Sequence, residues 1–533
     1  MNNLKIGGNI IDQDSPEQKN LSGILWILAA LFIIQSILYI SKASTYLDEG
    51  IYFNFSLMVY RGKVPYLDFW YYQPPLFPYI YGLPQYLFGP SMYLARFTSF
   101  LFAGLTLILA YKISKKLLNP LAGVVATALI ILNPNAMFHF NLIELYSLAN
   151  FFMLLSIYWI IDEPKLPYRI TLSVFFMSLA CAVRLSMGAA LLVLMIYIFV
   201  TERDRPRNII NAVVTACITC ALIWGPFLFL GMDETIFGNI GWYLRRTQLV
   251  FSYGLSDWTL RTLARNKFDV ITEMVRNFPS VFVLLPATLV FIFLILKVKS
   301  NKKLNVHIPM RQLLFLLGSL VALFAIHLCA FPTFPEYILN FLPVAAILSG
   351  FCFSWIFFSF PESEVRKLLT VFLIVLIILT PLSQGKRVIP KFRGISNLSY
   401  INRIASLVKK MTSKDDEILT FTQQFAAVAD RRLISGLELS YQTYVPDWNR
   451  RECEKYHLYN TEILLDYVTS RKAKVIILTD YDYWTFNSQG RYSKGPFVWD
   501  LFLKAVNQHY KLMEKVDILG GYEGATYIYV PKI

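Results

Sequence analysis

The sequence predicts a polytopic α-helical membrane protein with about eleven transmembrane helices and a C-terminal extracytoplasmic α/β domain. Three observations predict this fold. The chain of 533 residues is 56% hydrophobic and its mean hydropathy is +0.48, which excludes an ordinary soluble protein. Apolar runs of about 20 residues, the length that spans a bilayer, recur along it. Beyond residue 384, short strand-like runs alternate with helical segments, which favours an α/β domain.

The predicted spans divide the chain into three parts. A tail (1–21) precedes a transmembrane domain (22–384), and a domain of residues 385–533 follows it. Two long outer loops, 42–90 and 231–278, interrupt the transmembrane domain. Residues 169–201 fit either a hairpin or one broken helix. The spans lie at about 22–41, 91–111, 121–138, 142–161, 169–183, 186–201, 208–230, 279–297, 311–329, 338–358 and 366–384.

The positive charge predicts the orientation. The loops on one side of the membrane contain fifteen Lys and Arg residues, whereas the short loops on the other side contain only Arg184. Because cytoplasmic loops carry the excess of cations, the amino terminus is predicted in the cytoplasm and the C-terminal domain outside a cell membrane. No Lys/Arg block is interleaved with aromatic residues, so the net charge of +15 does not indicate nucleic-acid binding.

This orientation gathers the chemically interesting polar residues on one membrane face. They are the adjacent Asp48 and Glu49 after the first span, the turn from His139 to Glu144, Arg184 within an apolar run, and the turn Pro335-Glu336-Tyr337. Ionisable residues near membrane depth are costly and are usually functional or paired. We therefore predict an active site on the outer face. The C-terminal domain has no Gly-rich phosphate loop and no nucleophile elbow, so it is expected to bind an acceptor or cover the site.

A set of short motifs supports a family resemblance. The arrangement resembles the GT-C superfamily of integral-membrane glycosyltransferases, and more narrowly glycosyltransferase family 39, the protein O-mannosyltransferase and lipid A aminoarabinose transferase clan. The motifs are Asp48-Glu49-Gly50, Gly62-x-x-Pro65-Tyr66-x-Asp68, Gln73-Pro74-Pro75-Leu76, Ala95-Arg96-Phe97, Glu144, Arg184 and Pro335-Glu336-Tyr337 followed by Pro343.

The resemblance implies a polyprenyl-phosphate sugar donor and inversion at the anomeric carbon, with Asp48 at the position of the catalytic base. Gln73 departs from the aminoarabinose branch, which often has a lysine there. In such a reaction an acceptor hydroxyl attacks while a phosphate leaves, so a base and a cation are needed. Asp48 is the predicted base, with helix capping of 51–60 as the alternative. Glu49 is a further catalytic candidate, which could act directly, orient Asp48 or raise the pKa of Asp48.

Glu144 is predicted to orient the acceptor or to share a divalent cation, Mg²⁺ or Mn²⁺, with Asp48. The alternative is an ion pair of Glu144 with Arg96 or Arg184. Arg184 is the predicted ligand of the donor phosphate because a guanidinium is complementary to it. Arg96, Arg245 and Arg246 are further candidates for the phosphate, and Arg96 could instead anchor a span. Tyr66, Asp68, Gln73, Glu336 and Tyr337 are candidates for substrate binding, although Asp68 also fits a turn.

The predicted function is therefore transfer of a hexosyl or pentosyl unit to a hydroxyl of a glycolipid, glycan or protein. A transporter or flippase is the main alternative, but such proteins often carry repeated halves, and none is evident here. A glycan polymerase or ligase with a lipid-diphosphate donor would share the topology. The crowded aromatics of the first outer loop, including Trp70 and Tyr72, predict a segment lying in the membrane interface.

Overall fold

The computed structural model describes residues 16–45, 47–161, 168–245, 260–278, 309–330, 333–359, 397–486, 499–517 and 524–532, with a few residues between 364 and 380. The predicted span 279–297 lies outside the described residues, as do Arg246 and most of the predicted span 366–384.

The membrane part is helical. Its helices are α1 (Pro16–Lys42), α2 (Leu47–Tyr60), α3 (Leu76–Phe88), α4 (Met92–Leu117), α5 (Pro120–Ile131), α6 (Pro134–Asn141), α7 (Leu145–Ile161), α8 (Arg169–Val183), α9 (Gly188–Thr201), α10 (Pro206–Leu230), α11 (Met232–Ile236), α12 (Leu260–Asn277), α13 (Met310–Cys329) and α14 (Leu342–Ser359). A π-helical turn, Phe237–Gly241, continues α11, and a 3₁₀ turn, Pro335–Asn340, precedes α14.

Four of these helices, α1, α4, α10 and α13, are long and apolar enough to cross a membrane. Within the described residues, α5 and α6 together add one further candidate span, and α7, α8, α9 and α14 are shorter apolar helices. Large apolar side chains on the outside of the bundle are exposed, such as Trp26 on α1 and Phe229 on α10. An apolar outer surface of this kind is suited to lipid rather than to water.

The predicted continuous span 121–138 is wrong in one respect, because the helix breaks at Asn133. Helices α5 and α6 meet at an angle of 76°. The side chain of Asn133 accepts a hydrogen bond from the Ala136 amide at 2.9 Å, and Pro134 occupies the first position of α6. An Asn cap followed by proline starts a new helix and cannot continue the old one. After the bend, α6 carries His139 to Glu144, with which His139 pairs.

The prediction of an interface-lying aromatic segment in the first outer loop is also wrong. Phe69, Trp70 and Tyr71 are almost completely buried. They pack with aromatic rings from α2 and from the π-helical turn region, for example Trp70 against Trp242 with ring centroids 4.9 Å apart. Edge-to-face packing stabilises such clusters beyond simple burial. This segment of the loop therefore packs against α2. Tyr79, on the following helix α3, remains partly exposed.

The residues after 396 form a five-stranded mixed sheet with strand order β2-β1-β3-β5-β4. Strands β2, β1 and β3 run parallel to one another, and β5 runs antiparallel to both of its neighbours, β3 and β4. The elements are α15 (Asn397–Met411), β1 (Glu417–Thr420), α16 (Gln423–Val428), β2 (Arg432–Leu433), α17 (Arg450–Lys455), α18 (Thr461–Thr469), β3 (Val475–Thr479), α19 (Asp480–Phe486), α20 (Trp499–His509), β4 (Tyr510–Val516) and β5 (Thr526–Pro531).

This α/β unit contacts the membrane part through ion pairs and a hydrogen bond. Arg61 at the end of α2 pairs with Asp430 at 2.5 Å. Lys455 pairs with Asp233 on α11 at 2.9 Å. His457 donates from Nε2 to the backbone oxygen of Leu67 at 2.6 Å. The α/β unit thus lies against the part of the molecule that contains α2 and the first outer loop.

A buried carboxyl group makes the stability of the α/β unit depend on pH. Burial raises the pKa of Glu438 from its ordinary value of 4.5 to about 8. The stability that the neutral carboxyl contributes is fully present below pH 4.5 and is lost as the pH rises through 8. At about 1.4 kcal/mol per pKa unit, the loss amounts to at most about 5 kcal/mol.

We expect Glu438→Gln to remove this loss, because an amide does not ionise. The melting temperature of the variant relative to the wild type should rise between pH 5 and pH 8 and level off above pH 8, measured on the full chain in detergent. A difference that stays constant over this range would contradict the assignment. Exposed Glu462→Gln is the control and should show no such trend.

Candidate active site

The adjacent carboxylates Asp48 and Glu49 lie in the first turn of α2 and point into different surroundings. Glu49 is completely buried, whereas Asp48 is partly exposed. Acidic residues are favourable at a helix N-terminus because of the helix dipole. The two neighbours therefore share a helix end but differ in access, and only Asp48 is placed to meet a substrate.

Glu49 is held by Arg96. The Arg96 Nε and Nη2 atoms donate to the two carboxylate oxygens of Glu49 at 2.6 and 2.7 Å. Nη1 donates to the backbone oxygens of Tyr39 and Ala43 at the end of α1, at 3.1 and 3.2 Å. Both charged side chains are fully buried. This network ties together α1, α2 and α4.

The geometry does not support the prediction that Arg96 binds a donor phosphate. Its donors are directed to Glu49 and to backbone carbonyls at the end of α1. A bidentate Arg–carboxylate pair is among the strongest polar contacts in proteins. Arg96 is thus an anchor for the turn that carries Asp48, as the alternative interpretation expected, and Glu49 has the same structural part.

We expect Arg96→Met to destabilise the protein by about 3–5 kcal/mol, because it leaves the Glu49 charge buried without a partner. The measurement is the melting temperature in detergent, followed by size-exclusion chromatography after heating. The double variant Glu49→Gln/Arg96→Met should lose less than the sum of the two single losses. Additive losses would show that the pair is not coupled.

Glu144 is paired with His139. Nδ1 of His139 lies 3.1 and 3.0 Å from the two carboxylate oxygens of Glu144. Both side chains are almost completely buried. Glu144 therefore pairs with His139, whereas Arg96, one of its two predicted alternative partners, pairs with Glu49. The contact follows from the bend at Asn133, which brings the end of α6 to the start of α7.

Arg184 lies at the break between α8 and α9. Its backbone is extended, with φ −146° and ψ 115°, so that α8 ends there and a 3₁₀ turn leads into α9. The guanidinium lies between two aromatic rings, 5.0 Å from the centroid of Tyr146 and 5.2 Å from that of Tyr337. Over the described part of the chain, Arg184 makes no ion pair with a carboxylate.

More tyrosines surround this guanidinium. Tyr52 lies one helical turn after Asp48 on α2, and the Tyr72 hydroxyl donates to the Tyr52 hydroxyl at 3.3 Å. Burial raises the pKa of Tyr52 above its ordinary value, Tyr72 and the Asp48 carboxylate raise it further, and Arg184 lowers it. The phenol of Tyr52 therefore lies within electrostatic reach of both Asp48 and Arg184.

Sequence reasoning missed Tyr52, Tyr146 and Tyr243 as members of the site. Tyr243 donates to the Tyr72 backbone oxygen at 3.1 Å and interacts electrostatically with Arg184. The spacing of four residues between Asp48 and Tyr52 would have indicated a shared helix face. Tyr146 and Tyr243 carry no comparable local signal, because their proximity depends on how distant helices pack.

Two of the predicted substrate-binding residues, Tyr66 and Asp68, make contacts within the first outer loop. Tyr66 has a left-handed backbone, with φ 72°, is buried, and donates to the Gln73 backbone oxygen at 2.6 Å. Asp68 accepts from the Val64 amide at 2.7 Å and so closes a turn, as its alternative interpretation expected. Gln73 is only partly buried. The geometry supports a structural part for Tyr66 and Asp68.

The remaining candidates divide between the site and the α/β unit. Tyr337 contacts Arg184, and Glu336 beside it interacts electrostatically with Tyr146. Arg245 forms an ion pair with Asp447 of the α/β unit and lies 5.8 Å from the ring centroid of Trp448. Arg245 therefore joins two parts of the chain. Arg246 lies outside the described residues.

Metal binding stays a prediction. Among the residues that the structure describes, no group of three or more His, Cys, Asp and Glu side chains is arranged to hold a metal ion. The predicted ligand Glu144 is engaged with His139.

Comparison with known proteins finds a family model that matches part of the membrane region. Residues 72–229 match the family model of dolichyl-phosphate-mannose-protein mannosyltransferases. This segment contains Arg96, Glu144 and Arg184. Among curated proteins, none matches the chain significantly by sequence.

Solved structures match over nearly the whole chain. ArnT from Cupriavidus metallidurans, bound to undecaprenyl phosphate, gives a TM-score of 0.62 at 11% identity and covers 95% of this chain and 98% of that chain. The Archaeoglobus fulgidus oligosaccharyltransferase, in complex with Zn and sulfate, gives 0.55 at 13% identity, with 95% and 73% covered. The same organism's AglB, with an inhibitory peptide and a dolichol-phosphate, gives 0.51 at 11% identity, with 91% and 73% covered.

The chain thus has the fold of ArnT and of the archaeal oligosaccharyltransferase. The predicted resemblance to the GT-C superfamily, and within it to glycosyltransferase family 39, is confirmed by this fold and by the matched segment.

Proposed function

We propose that the protein transfers a sugar from a polyprenyl-phosphate donor to an acceptor hydroxyl at the outer membrane face, with inversion at the anomeric carbon. The observation that carries the proposal is the environment of the Arg184 guanidinium. A partly buried guanidinium is held by two tyrosine rings, and within the described residues no carboxylate neutralises it.

The phosphate of a polyprenyl-phosphate sugar supplies the partner that Arg184 needs. A buried cation is costly unless it is paired, and a guanidinium presents parallel donors that fit two phosphate oxygens. The surrounding hydroxyls of Tyr52, Tyr72 and Tyr337 add donors of the kind that bind phosphate and sugar oxygens. As the sugar leaves, negative charge collects on the phosphate, so Arg184 stabilises the leaving group during transfer.

Asp48 is the proposed base. It is partly exposed at the start of α2, and it shares the phenol of Tyr52 with Arg184 as a common neighbour. The carboxylate accepts the proton of the acceptor hydroxyl as its oxygen attacks the anomeric carbon from the side opposite the phosphate. This geometry gives inversion in one displacement. The departing phosphate needs no proton, so no general acid is required.

Two lipid phosphates bound in proteins of the same fold support the donor class. ArnT was crystallised with undecaprenyl phosphate and AglB was solved with a dolichol-phosphate. The short loops predicted on the same side as Arg184 contain no other Lys or Arg. This charge asymmetry supports a site on the outer face, with a cytoplasmic amino terminus in a cell membrane. A glycolipid, a glycan and a protein are all acceptors with a suitable hydroxyl, and both a hexosyl and a pentosyl unit suit the mechanism.

The proposal is tested with the purified full chain in proteoliposomes. Polyprenyl monophosphate and polyprenyl diphosphate, each carrying the same radiolabelled sugar, are supplied with a cell-envelope extract. The label is then separated into lipid, glycan and protein fractions, and the anomeric configuration of the product is compared with that of the donor. We expect transfer from the monophosphate with inversion.

Transfer from the diphosphate alone would overturn the donor assignment in favour of a glycan polymerase or ligase. Retention of configuration would overturn the single displacement by an Asp48-activated hydroxyl. Movement of the labelled lipid across the bilayer, with no glycosidic bond formed in any fraction, would replace the transferase by a flippase.

A further inference from the structure

The α/β unit contributes a side chain to the turn that carries Asp48. Gln424, in the first turn of α16, is completely buried. Its amide lies directly over Gly50, the residue that follows Glu49. A methyl group on Gly50 would clash with Oε1 of Gln424 and would lie 2.9 Å from its Cδ and 3.2 Å from its backbone nitrogen. Only a glycine at position 50 leaves space for this amide.

A second contact holds the two helices together at their other ends. Arg61, just after α2, pairs with Asp430 at 2.5 Å and donates to the backbone oxygen of Arg431 at 3.4 Å. Helix α16 therefore lies beside α2, with Gln424 near its first turn and Asp430 near its last. The α/β unit is fixed to α2 at both ends.

The neighbouring residue of the same turn is fixed by the membrane part. Arg96 grips Glu49 through two hydrogen bonds of 2.6 and 2.7 Å. The first turn of α2 is thus held between a guanidinium of α4 and an amide of α16. Asp48 is the member of this turn that remains partly exposed. A shift of either support would move its carboxylate.

We propose that Gln424 is a positioning residue for Asp48, which makes the α/β unit a component of the active site as well as a cover. The inference rests on the proposed function, in which Asp48 is the base. A displacement of about 1 Å at a reacting group can lower the rate about 100-fold. Loss of the amide should therefore reduce the chemical step and leave donor binding at Arg184 intact.

The chain offers a matched control next to Gln424. Gln423 is of the same type, is also completely buried, and begins the same helix. However, its Nε2 donates to the backbone oxygen of Leu437 at 2.8 Å, within the α/β unit. Gln423→Ala should therefore disturb the unit without touching α2.

The experiment measures sugar transfer by the full chain in proteoliposomes, with kcat and the donor KM determined separately. We expect Gln424→Ala to lower kcat at least 10-fold with a donor KM within threefold of the wild type. Gln423→Ala should keep kcat within threefold. Gly50→Ala should lower kcat much as Gln424→Ala does, because the added methyl group displaces the amide. The double variant Gly50→Ala/Gln424→Ala should be no slower than Gln424→Ala alone.

Several outcomes would overturn the inference. Equal kcat losses for the two glutamine variants would mean that only the folding of the α/β unit matters. Multiplied losses in the double variant would mean that the amide and Gly50 act independently. An unchanged kcat for Gln424→Ala would leave the α/β unit as a cover alone. If the wild type transfers no sugar, the proposed function fails first, and that result is distinct from all three.

Discussion

Asp48→Asn should lower kcat for sugar transfer by about 100- to 10,000-fold, the range that loss of a general base produces. The amide preserves the size of the side chain and the start of α2, but it cannot accept the proton of the acceptor hydroxyl. Binding of the donor should persist, because Arg184 is unchanged. Binding of radiolabelled polyprenyl phosphate and the donor KM measure this second expectation.

The matched control is Asp204→Asn. Asp204 is exposed in the loop between α9 and α10, and Arg184 lies near the other end of α9, about 20 Å away along a helix of this length. The control should keep more than half of the wild-type activity. Residual transfer above a tenth of wild type in Asp48→Asn would remove Asp48 from the position of base. Glu144, which is paired with His139, would then be the next candidate.

Arg184→Gln should lower kcat/KM by about 100- to 1,000-fold, comparable with the loss of one preorganised charge-stabilising donor. Unlike Asp48→Asn, it should also weaken the binding of polyprenyl phosphate, because in the proposed mechanism the guanidinium contacts the phosphate in the ground state and in the transition state. Arg184→Lys should recover only part of the loss. An ammonium keeps the charge but cannot stack between Tyr146 and Tyr337 or present a fork of donors.

Arg207→Gln is the control for Arg184. Arg207 is exposed near the start of α10, whereas Phe227, near the other end of this helix, packs against Tyr66 of the first outer loop. The control variant should change neither kcat/KM nor phosphate binding by more than about twofold, as is usual for an exposed charge. If Arg184→Gln lowers the melting temperature but binds polyprenyl phosphate as the wild type does, the guanidinium stabilises the aromatic packing and does not hold the donor.

Local pattern was sufficient for much of the architecture. The short strand-like runs predicted beyond residue 384 are present in the α/β unit as β1, β3, β4 and β5, because apolar and β-branched content is visible in a short window. The apolar runs within the described residues are likewise helices. The two-residue strand β2 escaped prediction, since Arg432–Leu433 pairs with β1 only through the tertiary arrangement.

The site was predictable where one residue conflicted with its own surroundings. Arg184 interrupts an apolar run, and a cation there must find a partner, so the sequence alone marked it. The adjacent carboxylates at the end of a span were marked in the same way. Which of the two is accessible was not predictable. Glu49 is buried because Arg96 on a different helix reaches it, and no spacing in the sequence indicates that contact.

The sequence by itself determined a membrane protein with an appended α/β unit and a short set of residues able to do the chemistry, because hydropathy and charge are properties of each residue and its neighbours. Only the tertiary structure decided the partners: Arg96 with Glu49, Glu144 with His139, and Gln424 over Gly50. The strength of an ion pair or a close contact depends on distance and burial, and both are set by the packing of helices that are far apart in the chain.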